Sequence, residues 1–377
     1  MIEPKQFCDI LLKNNVDFFC GVPDSLLKEL CAYIDDQFSS QQHIITANEG
    51  NAVGLAMGRF LGSNSPAVVY MQNSGLGNAV NPLTSLADPK VYSVPMLLVV
   101  GWRGEPGVKD EPQHVMQGQI TEQQLAILDI PYVVLHAQSD NQGALEPLLQ
   151  QMRSQSRPVA VLVKKGTFSS FKSDKKVSVV KYAMKREEAL NVLLSEFDGD
   201  DIVVSTTGKT SREVFELRKA RGEAASDFLT VGGMGHTLSI AMGVALAQQD
   251  RKVIAIDGDG SMLMHMGALP IAGSHATNNL VHIVLNNQCH ESVGGQPTVA
   301  GNIDLQRIAI ASGYKQYFSA SEQDTIAKTW KQIAQSNGPA LFEIKIAKGA
   351  RSDLGRPTSS PVENKRAFME HVGSLND

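Results

Sequence analysis

Gly258-Asp259-Gly260-Ser261 follows the apolar run VIAI at 253–256 and opens a helical stretch; a second apolar run ends in Asn286-Asn287, 28 residues beyond Asp259. A strand that passes through a tight glycine turn into a helix aims backbone N–H groups and the positive dipole end at one spot, where a phosphate can sit. A diphosphate held there needs its charge neutralised. Mg²⁺ does this with hard oxygen ligands, here an Asp carboxylate, an Asn side-chain carbonyl and a main-chain carbonyl. The same residues also suit an ordinary βαβ turn, with Asp259 capping a helix and the asparagines turning the chain.

Three further stretches carry chemistry. Glu49, within TANEGNA at 46–52, begins a small-residue helical run; a carboxylate there either complements the helix dipole or moves a proton. Val231-Gly232-Gly233-Met234-Gly235 opens a second small-residue helix, where a Met beside glycines is by itself core packing. Thr206-Thr207-Gly208-Lys209-Thr210 lies between an apolar run and a helical one, so its hydroxyls and ammonium could face a diphosphate.

The elements that position these residues are those of an α/β protein. Short apolar runs at 18–22, 67–71, 96–101, 132–135 and 159–163 alternate with helical periodicity at 25–38, 50–61, 78–86 and 143–155. After a polar, Ser/Lys-rich stretch the alternation resumes, with strands expected at 202–205, 253–257, 280–285 and 341–345. Helices are expected at 185–196, 210–219, 236–248, 267–274, 304–312 and 322–336. This is the pattern of parallel sheets covered by helices on both faces. It gives two doubly wound domains, 1–166 and 185–377, joined by a linker over 167–184, with no middle domain. A length of 377 residues fits two cores.

Composition narrows the partners. A net charge of −5 and no dense Lys/Arg run leave no broad field for nucleic acid. No run approaches 18 apolar residues, and the start lacks the pattern of a secretory signal, so neither a membrane span nor export is expected. Cys8, Cys20, Cys31 and Cys289 lack metal-like spacing and read as reduced thiols of a cytoplasmic protein.

GDG followed by NN resembles the cofactor motif of thiamine diphosphate enzymes of the pyruvate decarboxylase-like superfamily. The resemblance implies thiamine diphosphate with Mg²⁺ held by Asp259, Asn287 and the main-chain carbonyl of Cys289. Ala47-Asn48-Glu49-Gly50-Asn51-Ala52 matches that superfamily's A-x-E-x-x-A segment, which implies Glu49 beside N1′ of the aminopyrimidine. Met234 then corresponds to the apolar wedge under the cofactor and Gly232 to the carbonyl that receives the 4′-amino group. Asn73, in Gln72-Asn73-Ser74-Gly75, is placed like the loop near the reacting carbon. Gly258, Gly260, Ser261, Thr207, Lys209 and Thr210 complete the cofactor set. A pyrimidine-binding domain followed by a diphosphate-binding domain, with sites between subunits of a homodimer or higher homo-oligomer, is also implied.

Five segments, at 20–25, 101–105, 110–114, 292–298 and 351–358, resemble the phosphonopyruvate decarboxylases, with sulfopyruvate decarboxylases as near neighbours. That resemblance implies decarboxylation of 3-phosphonopyruvate to phosphonoacetaldehyde and CO₂, a step of phosphonate biosynthesis. A substrate with a carboxylate and a phosphonate needs cationic and hydroxyl donors. Ser25, Arg103, Lys109, His114, His290, Arg351 and Arg356 are the candidates. His114 and His290 are also the expected proton carriers, because an imidazole titrates near neutrality. The Gly- and Pro-containing tail is expected to be a strap rather than a helix. A protein that binds the cofactor without catalysis is the alternative of another class.

Overall fold

The computed structural model describes residues 1–173, 182–224 and 226–374. They fall into two compact units, Met1–Val177 with Ser292–Gln296 and Ser178–Glu291 with Pro297–Asp377.

The first unit is built on β1 (Phe18–Gly21), β2 (His43–Ile45), β3 (Ala67–Gln72), β4 (Met96–Gly101), β5 (Tyr132–Leu135) and β6 (Pro158–Val163). Their order in the sheet is β2-β1-β3-β4-β6-β5, and every pair is parallel. Val68, Tyr70, Leu97 and Val99 enter the core on one face, and Ala67, Val69, Met71, Met96, Leu98 and Val100 the core on the other. Helices cover both faces, so these strands are continuous apolar runs instead of alternating ones.

The second unit repeats the scheme with β7 (Ile202–Ser205), β8 (Phe228–Leu229), β9 (Val253–Gly258), β10 (Leu280–Asn286) and the strands Gln316–Ala320 and Ala340–Lys345. These form a six-stranded parallel sheet in the order Gln316–Ala320, Ala340–Lys345, β10, β9, β7, β8. The two α/β sheets agree with the architecture expected from the alternation of apolar runs. In both units the chemistry-bearing residues leave the carboxyl ends of the strands, where open α/β sheets bind ligands.

Several elements escape the periodicity. The strands His43–Ile45 and Phe228–Leu229 are too short to show a period. Helix Pro112–Ile127 is rich in Gln and buries only Gly118, Thr121 and Leu125, so it lacks an apolar stripe; Pro at its first turn starts it. The tail is corrected in part. Pro361–Val372 is a helix, begun by a capping box between Ser360 and Glu363 and ended by Gly373 at φ 72°, and Phe368 and Val372 bury against the second unit.

The stretch expected as linker is narrower than its polarity indicates. Ile2 N–H donates to the Thr167 carbonyl at 2.8 Å, Phe168 meets Phe7 edge-on with centroids 5.4 Å apart, and Phe171 meets Tyr33 at 5.2 Å. These aromatic contacts hold 167–173 on the first unit. At the other end Met184 is buried in the second core. Residues 174–181 of the expected linker lie outside the described residues.

Candidate active site

Glu49 is the first residue of helix Glu49–Ser63, just beyond β2, and Asn48 caps that helix by accepting from Asn51 N–H. Its side chain is buried, with Oε2 accepting from Asn78 Nδ2 at 2.8 Å. Asn73, beyond β3, is fully buried and spends its amide internally. Nδ2 donates to the Arg103 carbonyl at 2.8 Å and to Thr121 Oγ1 at 2.9 Å, and Oδ1 accepts from Arg103 N–H at 3.2 Å. Asn73 therefore clamps the loop after β4.

That loop assembles some of the expected substrate donors. Arg103 pairs with Asp110 through Nε at 2.7 Å and through Nη2, while Nη1 donates to Ser25 Oγ at 2.9 Å. The Arg103 guanidinium holds the Asp110 carboxyl down to about 2. Asp24 beside them is fully buried, accepts from Gln72 at 2.7 Å and Leu26 N–H at 2.9 Å, and is pushed up by burial. Lys109 is exposed.

Burial, with Arg103 nearby, drives the His114 imidazole down to about 4, and burial does the same to His290. Both rings are consequently neutral at pH 7. Burial penalises the charged imidazolium in both.

In the second unit the turn after β9 holds Asp259, which is 2% exposed. Its carboxylate accepts from the Thr298 hydroxyl, and burial raises it to about 6. Ser261 Oγ accepts from Thr206 Oγ1 and from Gly235 N–H, each at 3.0 Å, tying the ends of β7 and β9 to the glycine turn and leaving its own O–H to donate. Thr207 Oγ1 donates to the Val231 carbonyl at 2.8 Å. Thr210 is buried in the first turn of helix Lys209–Ala220, whose N-terminus follows Gly208.

Gly232, Gly233, Met234 and Gly235 form the turn before helix Thr237–Ala247. Gly235 sits at φ 90°, and a Cβ there would fall 2.5 Å from the His265 ring, so only glycine fits. A Cβ on Gly260 would lie 3.6 Å from Met234 Cε and 3.0 Å from His290, which places both side chains over that glycine. Of the two asparagines at the end of β10, Asn286 is structural: its Nδ2 donates to Glu343 Oε1 at 2.6 Å. Asn287 Oδ1 accepts from Cys289 N–H at 3.1 Å and its Nδ2 donates to Glu291 at 3.1 Å.

Arg351 is engaged within its own unit. Arg351 pairs with Glu187 at 2.9 Å and also with Glu216 and Asp353. Arg356 is exposed and borders a surface hollow lined by Phe215, Glu216, Lys219 and Thr358. Thr298, Arg186, Glu213 and Glu291 are residues that the motifs do not reveal. Thr298, Arg186 and Glu213 reach the site through contacts distant in sequence, while Glu291 meets Asn287 only four residues away.

The set fits a hydrated divalent cation with a diphosphate. A buried carboxylate raised by burial has no compensating charge among the described residues, and Asn287 presents a carbonyl oxygen beside the Cys289 backbone. Among the described residues no group of three or more His, Cys, Asp or Glu could hold a metal.

The model for the C-terminal TPP binding domain of thiamine pyrophosphate enzymes matches residues 206–344, and that for their N-terminal TPP binding domain matches residues 5–127. Thiamine pyrophosphate is thiamine diphosphate, so the cofactor class is set by both halves. The phosphonopyruvate decarboxylase of Streptomyces viridochromogenes is 35% identical over 93% of this chain and 90% of its own length. That of Streptomyces hygroscopicus is 34% identical over 98% of this chain and 94% of its own. The sulfopyruvate decarboxylase of Methanosarcina acetivorans is 26% identical over 98% of each. The chain belongs to the phosphonopyruvate decarboxylase family of thiamine pyrophosphate enzymes. It is a thiamine diphosphate-dependent decarboxylase, a carboxy-lyase.

Proposed function

We propose that this enzyme decarboxylates 3-phosphonopyruvate to phosphonoacetaldehyde and CO₂, with Mg²⁺ as the cofactor's metal, in phosphonate biosynthesis. We assign it to the cytoplasm as a homodimer or higher oligomer. The observation that carries the reading is Asp259, a carboxylate buried at a strand-to-helix turn with no cation bonded to it among the described residues, in a protein 35% identical to a phosphonopyruvate decarboxylase. Among the described residues no helix is long and apolar enough to cross a membrane.

Asp259, Asn287 and the Cys289 carbonyl would hold Mg²⁺. Ser261, Thr207, Lys209, Thr210 and the N–H groups of Gly258 and Gly260 would hold the diphosphate. Met234, the Gly232 carbonyl and Glu49 would hold the rest of the cofactor. Thiamine diphosphate supplies a carbon nucleophile for the keto group and an electron sink as CO₂ departs. Glu49 handles a proton at the pyrimidine ring, its carboxylate fixed by Asn78. Ser25 and Arg103 orient the anionic substrate, and the Asp110 pairing keeps the guanidinium plane in place for a bidentate contact. His114 and His290, being neutral, donate or accept single hydrogen bonds. Lys109, Arg351 and Arg356 are the remaining substrate candidates, and Asn73 supports the cofactor site through the Arg103 loop.

The test is CO₂ release by the purified protein with Mg²⁺ and thiamine diphosphate on phosphonopyruvate, sulfopyruvate and pyruvate. Preference for phosphonopyruvate is expected. Preference for sulfopyruvate would reassign the substrate within the family, and no release from any of them would leave a cofactor-binding protein.

A further inference from the structure

Glu291 draws three elements of the second unit onto one carboxylate. Its Oε2 accepts from Arg186 Nη1 at 2.7 Å and from Asn287 Nδ2 at 3.1 Å, and Lys209 Nζ lies 3.5 Å from Oε1. Arg186 is in turn locked by Glu213, with Nε to Oε2 at 2.6 Å and Nη2 to Oε1 at 2.9 Å. The Arg186 and Glu213 side chains are only 8% and 1% exposed. Two carboxylates against a guanidinium and an ammonium balance in charge. Such a buried network is a poor source of net stability, because desolvation offsets the attraction. Its geometry needs another explanation.

That explanation is the Asn287 amide. An Asn side chain has a donor end and an acceptor end of nearly equal size, so partners alone decide which is which. Here Cys289 N–H faces Oδ1 and the Glu291 carboxylate faces Nδ2. Turning the amide over would set Oδ1 against a carboxylate and an NH₂ group against an N–H, losing both bonds and creating two repulsions. We infer that Glu291, held in place by Arg186 and Glu213, is a positioning residue that fixes the Asn287 amide so that its oxygen, not its nitrogen, is offered to the cation. This rests on the reading of Asn287 as a cation ligand.

Glu291→Gln is the decisive variant. Arg186 Nη1 and Asn287 Nδ2 share Oε2, so the Gln carbonyl would replace a charge-assisted hold on the amide with a neutral one and leave its NH₂ facing Lys209 Nζ, which loosens the orientation of Asn287. Mn²⁺ binding in the presence of thiamine diphosphate, followed by electron paramagnetic resonance without substrate, should weaken about tenfold or more. Asn287→Ala should weaken it at least as much, and adding Glu291→Gln to Asn287→Ala should cause no further loss. A simple charge effect or a general loosening of the fold would instead add in the double variant. Wild-type Mn²⁺ affinity in Glu291→Gln, or additive losses, overturns the inference. Unchanged binding in Asn287→Ala overturns the cation-ligand reading itself, and the inference with it. If circular dichroism shows Glu291→Gln to be misfolded, Glu291→Asp keeps the charge but shortens the reach, and is read by the same measure: weakened binding supports the inference and wild-type binding overturns it.

Discussion

Gly75 stands directly against Glu49: a Cβ built on residue 75 would lie 2.5 Å from Glu49 Cγ and 2.5 Å from its Oε1. Gly75 ends the short turn Asn73–Gly75 beyond β3, so the Glu49 side chain occupies the space where another residue would carry a methyl group. Asn78, on the helix that follows, holds the second carboxylate oxygen.

Gly75→Ala must therefore push the carboxyl group aside. A displacement near 1 Å in a group that handles a proton costs on the order of 10²-fold in turnover. We expect kcat to fall by about that factor with the circular dichroism spectrum unchanged, and Glu49→Gln to fall further. Wild-type turnover in Gly75→Ala would remove Glu49 from the proton-handling role.

Asp259 gives a prediction of opposite sign for stability and for binding. Its folded carboxyl is raised from 3.8 to about 6. The folded state thus binds more protons than the unfolded one between these values, so cofactor-free protein gains stability as pH falls through 6, and the ionised group costs stability at pH 7. Asp259→Asn removes that cost, and the Tm of cofactor-free protein at pH 7 should rise by a few degrees, at roughly 2–4 °C per kcal/mol for a domain of this size. The same variant should lose the rise in Tm that Mg²⁺ with thiamine diphosphate gives the wild type. Thermal scans with and without both ligands read the two effects separately.

What the sequence reveals here follows from how local each feature is. Strands such as Met96–Gly101 are legible because burial on both faces makes them continuous apolar runs. Asp259 and Asn287 are legible because each stands at a strand end with its turn chemistry beside it. Thr298 reaches Asp259 across 39 positions, and Arg186 reaches Glu291 across 105, so no window of sequence contains either pair. Helix Pro112–Ile127 stays hidden because its buried positions are a Gly, a Thr and a Leu. The tail misleads because Gly355 and Pro357 mark its irregular part, while the capping residues Ser360 and Glu363 start a helix just beyond.

His114 sets a pH dependence. Its imidazole falls from 6.5 to about 4 on folding, chiefly through burial, and Nδ1 has no hydrogen-bond partner among the described residues. A depressed folded value means that the unfolded chain takes up the proton first. Stability is full above 6.5 and is lost progressively as pH falls toward 4. His114→Gln has nothing to protonate, so its stability should decline less than that of the wild type across this window. Urea unfolding at successive pH values from 7 to 4 makes the comparison; parallel curves for the two proteins would show that the ring is solvated in solution.

The Arg186–Glu213 pair tests how the second unit tolerates buried charge. Glu213→Ala leaves the guanidinium with one carboxylate, Glu291, in a site where water does not reach it. Removing one member of a buried pair costs about 3–5 kcal/mol, because the remaining charge stays desolvated without its partner. Urea denaturation should show the midpoint fall by that free energy divided by the m-value. Replacing both residues together, Arg186→Met with Glu213→Leu, should recover most of the loss, since two apolar side chains of similar volume fill the space without a stranded charge. Glu291 then loses its guanidinium partner, so the recovered stability should come without recovered Mn²⁺ affinity. Recovery of both would mean that Arg186 contributes nothing to the orientation of Asn287.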